Sequence, residues 1–87
     1  MDWSHPPKQI EGLEVNQLAD GYVIYEANRD RVHYLNHTAV LVLEMCNGQV
    51  AADEIPGLIG QAFDLAEPPA AEVAECLDKL RDEGLIR

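Results

Sequence analysis

"RVHYLNHTAVLVLEMCNGQ", residues 31–49, decides the fold. Its first five residues, Arg31 to Leu35, include β-branched and aromatic side chains and predict a short strand. Asn36 breaks that strand, and either Asn36 or Thr38 can cap the helix that follows. From Thr38 the run places Ala39, Val42, Leu43 and Cys46 on one helical face, with Leu41 and Met45 beside it. Gly48 supplies the stop. A helix apolar on nearly every side belongs in the interior. The segment thus predicts a strand, a corner and the most buried helix of the chain.

Upstream, "YVIYE" (22–26) is the strongest strand pattern, and "LEVNQL" (13–18) begins with apolar–polar alternation. The "ADG" between them (19–21) offers an Asp-Gly hairpin turn. "ANRD" (27–30) joins the second strand to the third. Both connections are too short for a crossover, so the three strands form an antiparallel meander.

Downstream, "DEIPGLIGQAF" (53–63) predicts a short helix capped by Asp53, with Pro56 in its first turn and Gly57 and Gly60 weakening it. A last helix starts near Pro69. It places Val73, Cys76, Leu77 and Leu80 at i, i+3, i+4 and i+7 and ends at Gly84. Leu43, Leu77 and Leu80 are expected to be buried. The class is α+β: a three-stranded antiparallel sheet followed by three helices, an order like that of a winged helix-turn-helix. Residues 1–11 read as a flexible N-terminal arm, where Pro6 and Pro7 bar a helix. Residues 12–87 form one domain.

The net charge is −10 with only six Lys and Arg, and from Glu44 onward ten acids face three bases. Binding a phosphate backbone needs basic stripes, which are missing. No apolar run approaches the roughly 20 residues of a membrane span. The start has no apolar signal region, and Cys46 and Cys76 have neither metal-type nor redox-type spacing. A cytoplasmic protein with reduced thiols is expected, with no nucleic acid and no membrane as partner. No nucleophile–base pair, phosphate loop or carboxylate dyad can be assembled, so the expectation is no enzyme, no metal and no cofactor.

The strand ending Leu35-Asn36, the Thr38-Ala39 start, the helix ending at Cys46 and Gly48, and the last helix ending Leu80, Gly84 and Leu85 together resemble the PqqD family. The resemblance covers roughly residues 12–87. Asn47, His37 and Ala51 depart from the residues usual there. The resemblance implies a RiPP recognition element. Such modules are non-catalytic: they bind the leader region of a ribosomally made precursor peptide and present it to a modifying enzyme, often of the radical S-adenosylmethionine type. It also implies that the leader adds as a strand at the sheet edge beside the last helix.

Strand addition makes physical sense at a free edge, which displays unpaired N–H and C=O groups. The third strand, Arg31, Val32, His33, Tyr34 and Leu35, supplies one wall. The first strand has a free edge too. Within the third strand Arg31, His33 and Leu35 point one way and Val32 and Tyr34 the other. On the last helix Ala70, Ala74, Leu77 and Arg81 make a stripe of small residues ending in an anion anchor. These nine are the expected peptide-binding residues. Lys79 falls on the opposite shoulder amid Glu72, Glu75 and Glu83.

Two other functions compete. One is a small regulatory or structural subunit that binds a protein partner. The other is a DNA-binding winged-helix regulator, against which the baseless second helix argues. The chain is expected as a monomer or a strand-exchanged dimer.

Overall fold

The computed structural model describes residues 5–87. Three strands come first: β1 (Leu13–Leu18), β2 (Gly21–Glu26) and β3 (Arg31–Leu35), paired antiparallel in the order β1-β2-β3. Three helices follow: α1 (His37–Met45), α2 (Ile55–Ala62), entered through a 3-10 turn over Ala52–Glu54, and α3 (Ala70–Asp82). The α+β class and the element order match the expectation.

The register puts Ile24 opposite His33 and Tyr22 opposite Leu35, so Tyr22, Ile24, Glu26, Arg31, His33 and Leu35 share one face. The helices cover that face. Ile24 meets Val42, Leu43, Ile59, Val73, Leu77, Leu80 and Leu85 in one buried cluster. On the opposite face Val32 and Tyr34 stand exposed across from Tyr25 and Val23.

Local chemistry explains the boundaries. Asn36 caps α1, its side chain accepting from the Ala39 N–H at 2.8 Å. α3 ends on Gly84 at φ +77, where the Leu85 N–H reaches the Leu80 carbonyl at 2.9 Å and the Gly84 N–H reaches that of Arg81 at 3.0 Å. That pair of bonds is a Schellman closure, which needs the left-handed residue glycine supplies.

Three expectations shift. The first hairpin turns on Ala19 and Asp20, because Leu18 pairs with Gly21. Gly21 instead lies in β2, where a Cβ would stand 3.0 Å from the Leu35 carbonyl oxygen, and its bareness lets β3 pack close. Asp53 does not cap the second helix; the Glu54 carboxylate accepts from the Ala51 N–H at 3.1 Å. The arm expected over residues 1–11 is stitched down from Pro7. Lys8 and Arg87 exchange backbone bonds of 2.9 Å, Gln9 donates to the Cys46 carbonyl and Ile10 to that of Leu85. The Gln9 side chain adds a 2.8 Å bond to the Leu43 carbonyl. Residues 1–4 of that arm lie outside the described residues.

Candidate functional site

β3 is an edge strand, paired on one side only. Beyond its free side lies a cavity of about 660 Å³. Arg31 to Leu35 form one wall, α3 forms the other through Glu72, Glu75, Cys76, Lys79 and Glu83, and Leu80 and Leu85 lie between. Asn36, Thr38 and Ala39 border one end, where β3 turns into α1.

A polar clamp ties the sheet to α3 at the other end. Glu26, at the end of β2, is 1% exposed yet ionised. The Arg29 Nε donates to its Oε2, and His33 Nε2 lies 2.9 Å from its Oε1. The Arg29 hydrogen bond holds this carboxyl below its ordinary value of 4.5; burial opposes that pull, and the His33 contact adds to it. Arg29 also donates through Nη2 to the Glu83 carbonyl at 2.9 Å, across the end of α3. A Cβ on Gly84 would sit 2.6 Å from that same Nη2, so Gly84 provides both the helix stop and the space for Arg29. Arg31 Nη2 donates to Glu83 Oε2 at 2.9 Å, and His33 Nδ1 lies 3.5 Å from the same oxygen. No buried side-chain N or O among the described residues lacks a partner. The clamp fixes the spacing between β3 and the last turn of α3, and so the width of the groove at that end.

The nine expected site residues divide. Arg31, Val32, His33, Tyr34 and Leu35 all border the groove. His33 is buried within the clamp, Leu35 packs against the core, and Val32 and Tyr34 are exposed. Ala70, Ala74 and Leu77 are not brought to β3. They line a separate cavity of about 580 Å³ across α3, with His5, Pro6, Ala52 and Pro56. Leu77 is 3% exposed and belongs to the core. Arg81 is exposed and borders neither cavity. The helix wall that does face β3 runs through Glu72, Cys76, Lys79 and Glu83, at the same i, i+4, i+7, i+11 spacing but two residues out of phase. Two residues turn a helix by about 200°. Neither Glu26 nor Arg29 is among the nine expected site residues; an acid closing one strand with an arginine three residues on, in the turn, signals their pairing but not their burial.

The thiols differ. Burial pushes the Cys46 thiol up to about 12, and its Sγ–H donates to the Val42 carbonyl at 3.2 Å. Cys76 is half-buried in the groove wall; burial raises its thiol and the nearby Glu72 charge raises it further, while Lys79 pulls the other way. Among the described residues, no group of three His, Cys, Asp or Glu is placed to hold a metal ion. No described helix is long and apolar enough to cross a membrane.

Against models of known protein families, residues 21–86 match the one described as coenzyme PQQ synthesis protein D. The chain belongs to the PqqD family. The match takes in β2, β3 and all three helices, and so every residue of the groove. No curated protein and no solved structure matches the chain.

His37, the first residue of α1, joins three elements. Its ring lies 5.7 Å from that of Tyr22 on β2 and 5.8 Å from that of Phe63 after α2. Tyr22 Oη is 3.2 Å from His37 Nδ1. Ring contacts thus brace the corner where β3 turns into α1.

Proposed function

We propose that this PqqD-family domain is a recognition module for a ribosomally made precursor peptide. Its leader region adds as a strand to the free edge of β3 and lies in the groove against α3. The domain then presents the peptide to a modifying enzyme of the radical S-adenosylmethionine type. One observation carries this: an edge strand whose open side is a groove walled by a helix, in a chain whose family is described by coenzyme PQQ synthesis.

The physics supports strand addition. A free edge leaves alternate N–H and C=O groups without ladder partners, and an incoming strand satisfies them. Backbone bonds supply affinity with little dependence on sequence, and the side chains that project toward α3 supply selectivity. The clamp sets the groove before the peptide arrives, which reduces the ordering cost of binding.

The test blocks the groove without rebuilding the core. N-ethylmaleimide attached to Cys76, with Cys46 protected by burial, fills the helix wall. A labelled leader peptide from a candidate precursor is then titrated against blocked and free protein. Blocking is expected to weaken binding at least tenfold, whereas Ala74→Glu, across α3, leaves it unchanged. Equal affinity for blocked and free protein would remove the groove as the site.

A second reading draws on a different surface. Val32 and Tyr34, 51% and 77% exposed on the face turned away from the helices, suit contact with a protein partner. If the domain is chiefly a partner-binding subunit, Tyr34→Ala weakens complex formation while leader affinity is already negligible in wild type.

A further inference from the structure

The two ends of the groove are unlike in charge. At the clamped end Glu83 is engaged by Arg31 and faces His33. At the open end, beside Asn36 and Thr38, Glu72 and Glu75 face the cavity. Glu75 has Lys79 four residues on, the favourable order for an ion pair on a helix surface, although the two form none among the described residues. Glu72 has no such neighbour: the positions three and four away are Pro68, Pro69, Glu75 and Cys76. It makes no ion pair among the described residues. The open end therefore presents an uncompensated carboxylate in a chain of net charge −10.

The two walls are close in length. Glu72 to Glu83 spans eleven helical steps, about 16 Å, and the four strand steps from Arg31 to Leu35 span about 13 Å. Cys76 lies one turn beyond Glu72, about 6 Å along the axis. Two strand residues cover about 6.6 Å and return a side chain to the same face. A residue set against Glu72 thus has its next same-face neighbour above Cys76.

Resting on the strand-addition reading, we propose that the groove selects a precursor segment of about five residues with a particular pair on the face toward α3: a lysine or arginine beside Glu72, and an apolar side chain two residues away over Cys76. An acidic residue at the first position meets Glu72 and Glu75 together and is rejected. The clamped end, whose charges answer one another, contributes little choice of sign.

A display library of random seven-residue peptides, selected against immobilised wild-type protein, tests this. The enriched pool is expected to carry Lys or Arg two residues from an apolar residue. Selection against Glu72→Lys moves the preference to Asp or Glu. For the best wild-type peptide, Glu72→Gln lowers affinity about two- to fivefold, the worth of an exposed ion pair, and added salt narrows the difference. Because the glutamine variant keeps the shape of an exposed side chain, it guards against a folding artefact in the lysine variant. Enriched peptides that are displaced by maleimide on Cys76 but show no charge preference overturn the inference and leave strand addition standing. Enriched peptides that bind blocked protein equally well, or no enrichment at all, overturn both.

Discussion

Glu26 shows how a single side chain secures the site. It is buried, ionised and shared between Arg29 and His33, and its carboxyl is held below 4.5 chiefly by the Arg29 hydrogen bond. A carboxyl lowered on folding contributes stability that is fully present above its unfolded value and is lost as pH falls through its folded value. Glu26→Gln is therefore expected to melt below wild type at neutral pH, with the gap closing as the buffer drops beneath 4.5. Melting curves across pH check it; a gap independent of pH would mean that the charge is not what matters. Gly84→Ala forces a Cβ onto a left-handed residue and into Arg29, and should cost at least about 1 kcal/mol in urea unfolding. Cys76 should alkylate well before Cys46, whose thiol is buried and raised to about 12. Mass spectrometry of timed samples reads that order. These residue-level facts were mostly illegible in the sequence. Burial of Glu26 follows from register and coverage, which no local pattern at "IYEANRD" encodes.

Strands and helices were far more legible, for a physical reason. β1 and β3 carry short strand patterns bounded by turn residues, and α3 carries a 3.6-residue apolar stripe closed by Gly84. Each is decided by contacts close in sequence. The side of α3 that meets β3 is not. Ala70, Ala74 and Arg81 flank its buried stripe of Val73, Leu77 and Leu80 on one shoulder, and Glu72, Cys76, Lys79 and Glu83 flank it on the other. Periodicity fixes the stripe but treats the two shoulders alike; only the path of the chain from β3 through α1 and α2 separates them. The charges held the missing clue, since Arg29 in the turn before β3 and Arg31 at its start both reach Glu83, which complements them as Arg81 does not. Leu80→Ala should cost about 2–5 kcal/mol, because it opens a cavity in the core beneath the groove. Lys79→Ala, one residue away on the exposed wall, should stay within about 0.5 kcal/mol. Equal losses would mean that α3 is seated in a different rotation.

For the whole molecule, charge and topology point the same way. With six bases against sixteen acids, the chain cannot release many phosphate counterions, and no affinity for duplex DNA is expected near physiological salt. Binding that weakens steeply with salt would contradict that. The sheet-then-helices order followed from composition and short connections, while the stitching of residues 7–10 to Cys46 and to the C-terminal residues depends on partners far apart in sequence. In the proposed complex a peptide strand joins β3 in the groove. Backbone amide exchange measured by nuclear magnetic resonance, with and without the cognate leader peptide, tests it most directly. New protection is expected at alternate amides of Arg31–Leu35, with shifted resonances along Glu72, Cys76 and Lys79 and with Leu13–Leu18 unchanged. New protection along Leu13–Leu18, or resonance shifts centred on Ala70 and Ala74, would contradict it.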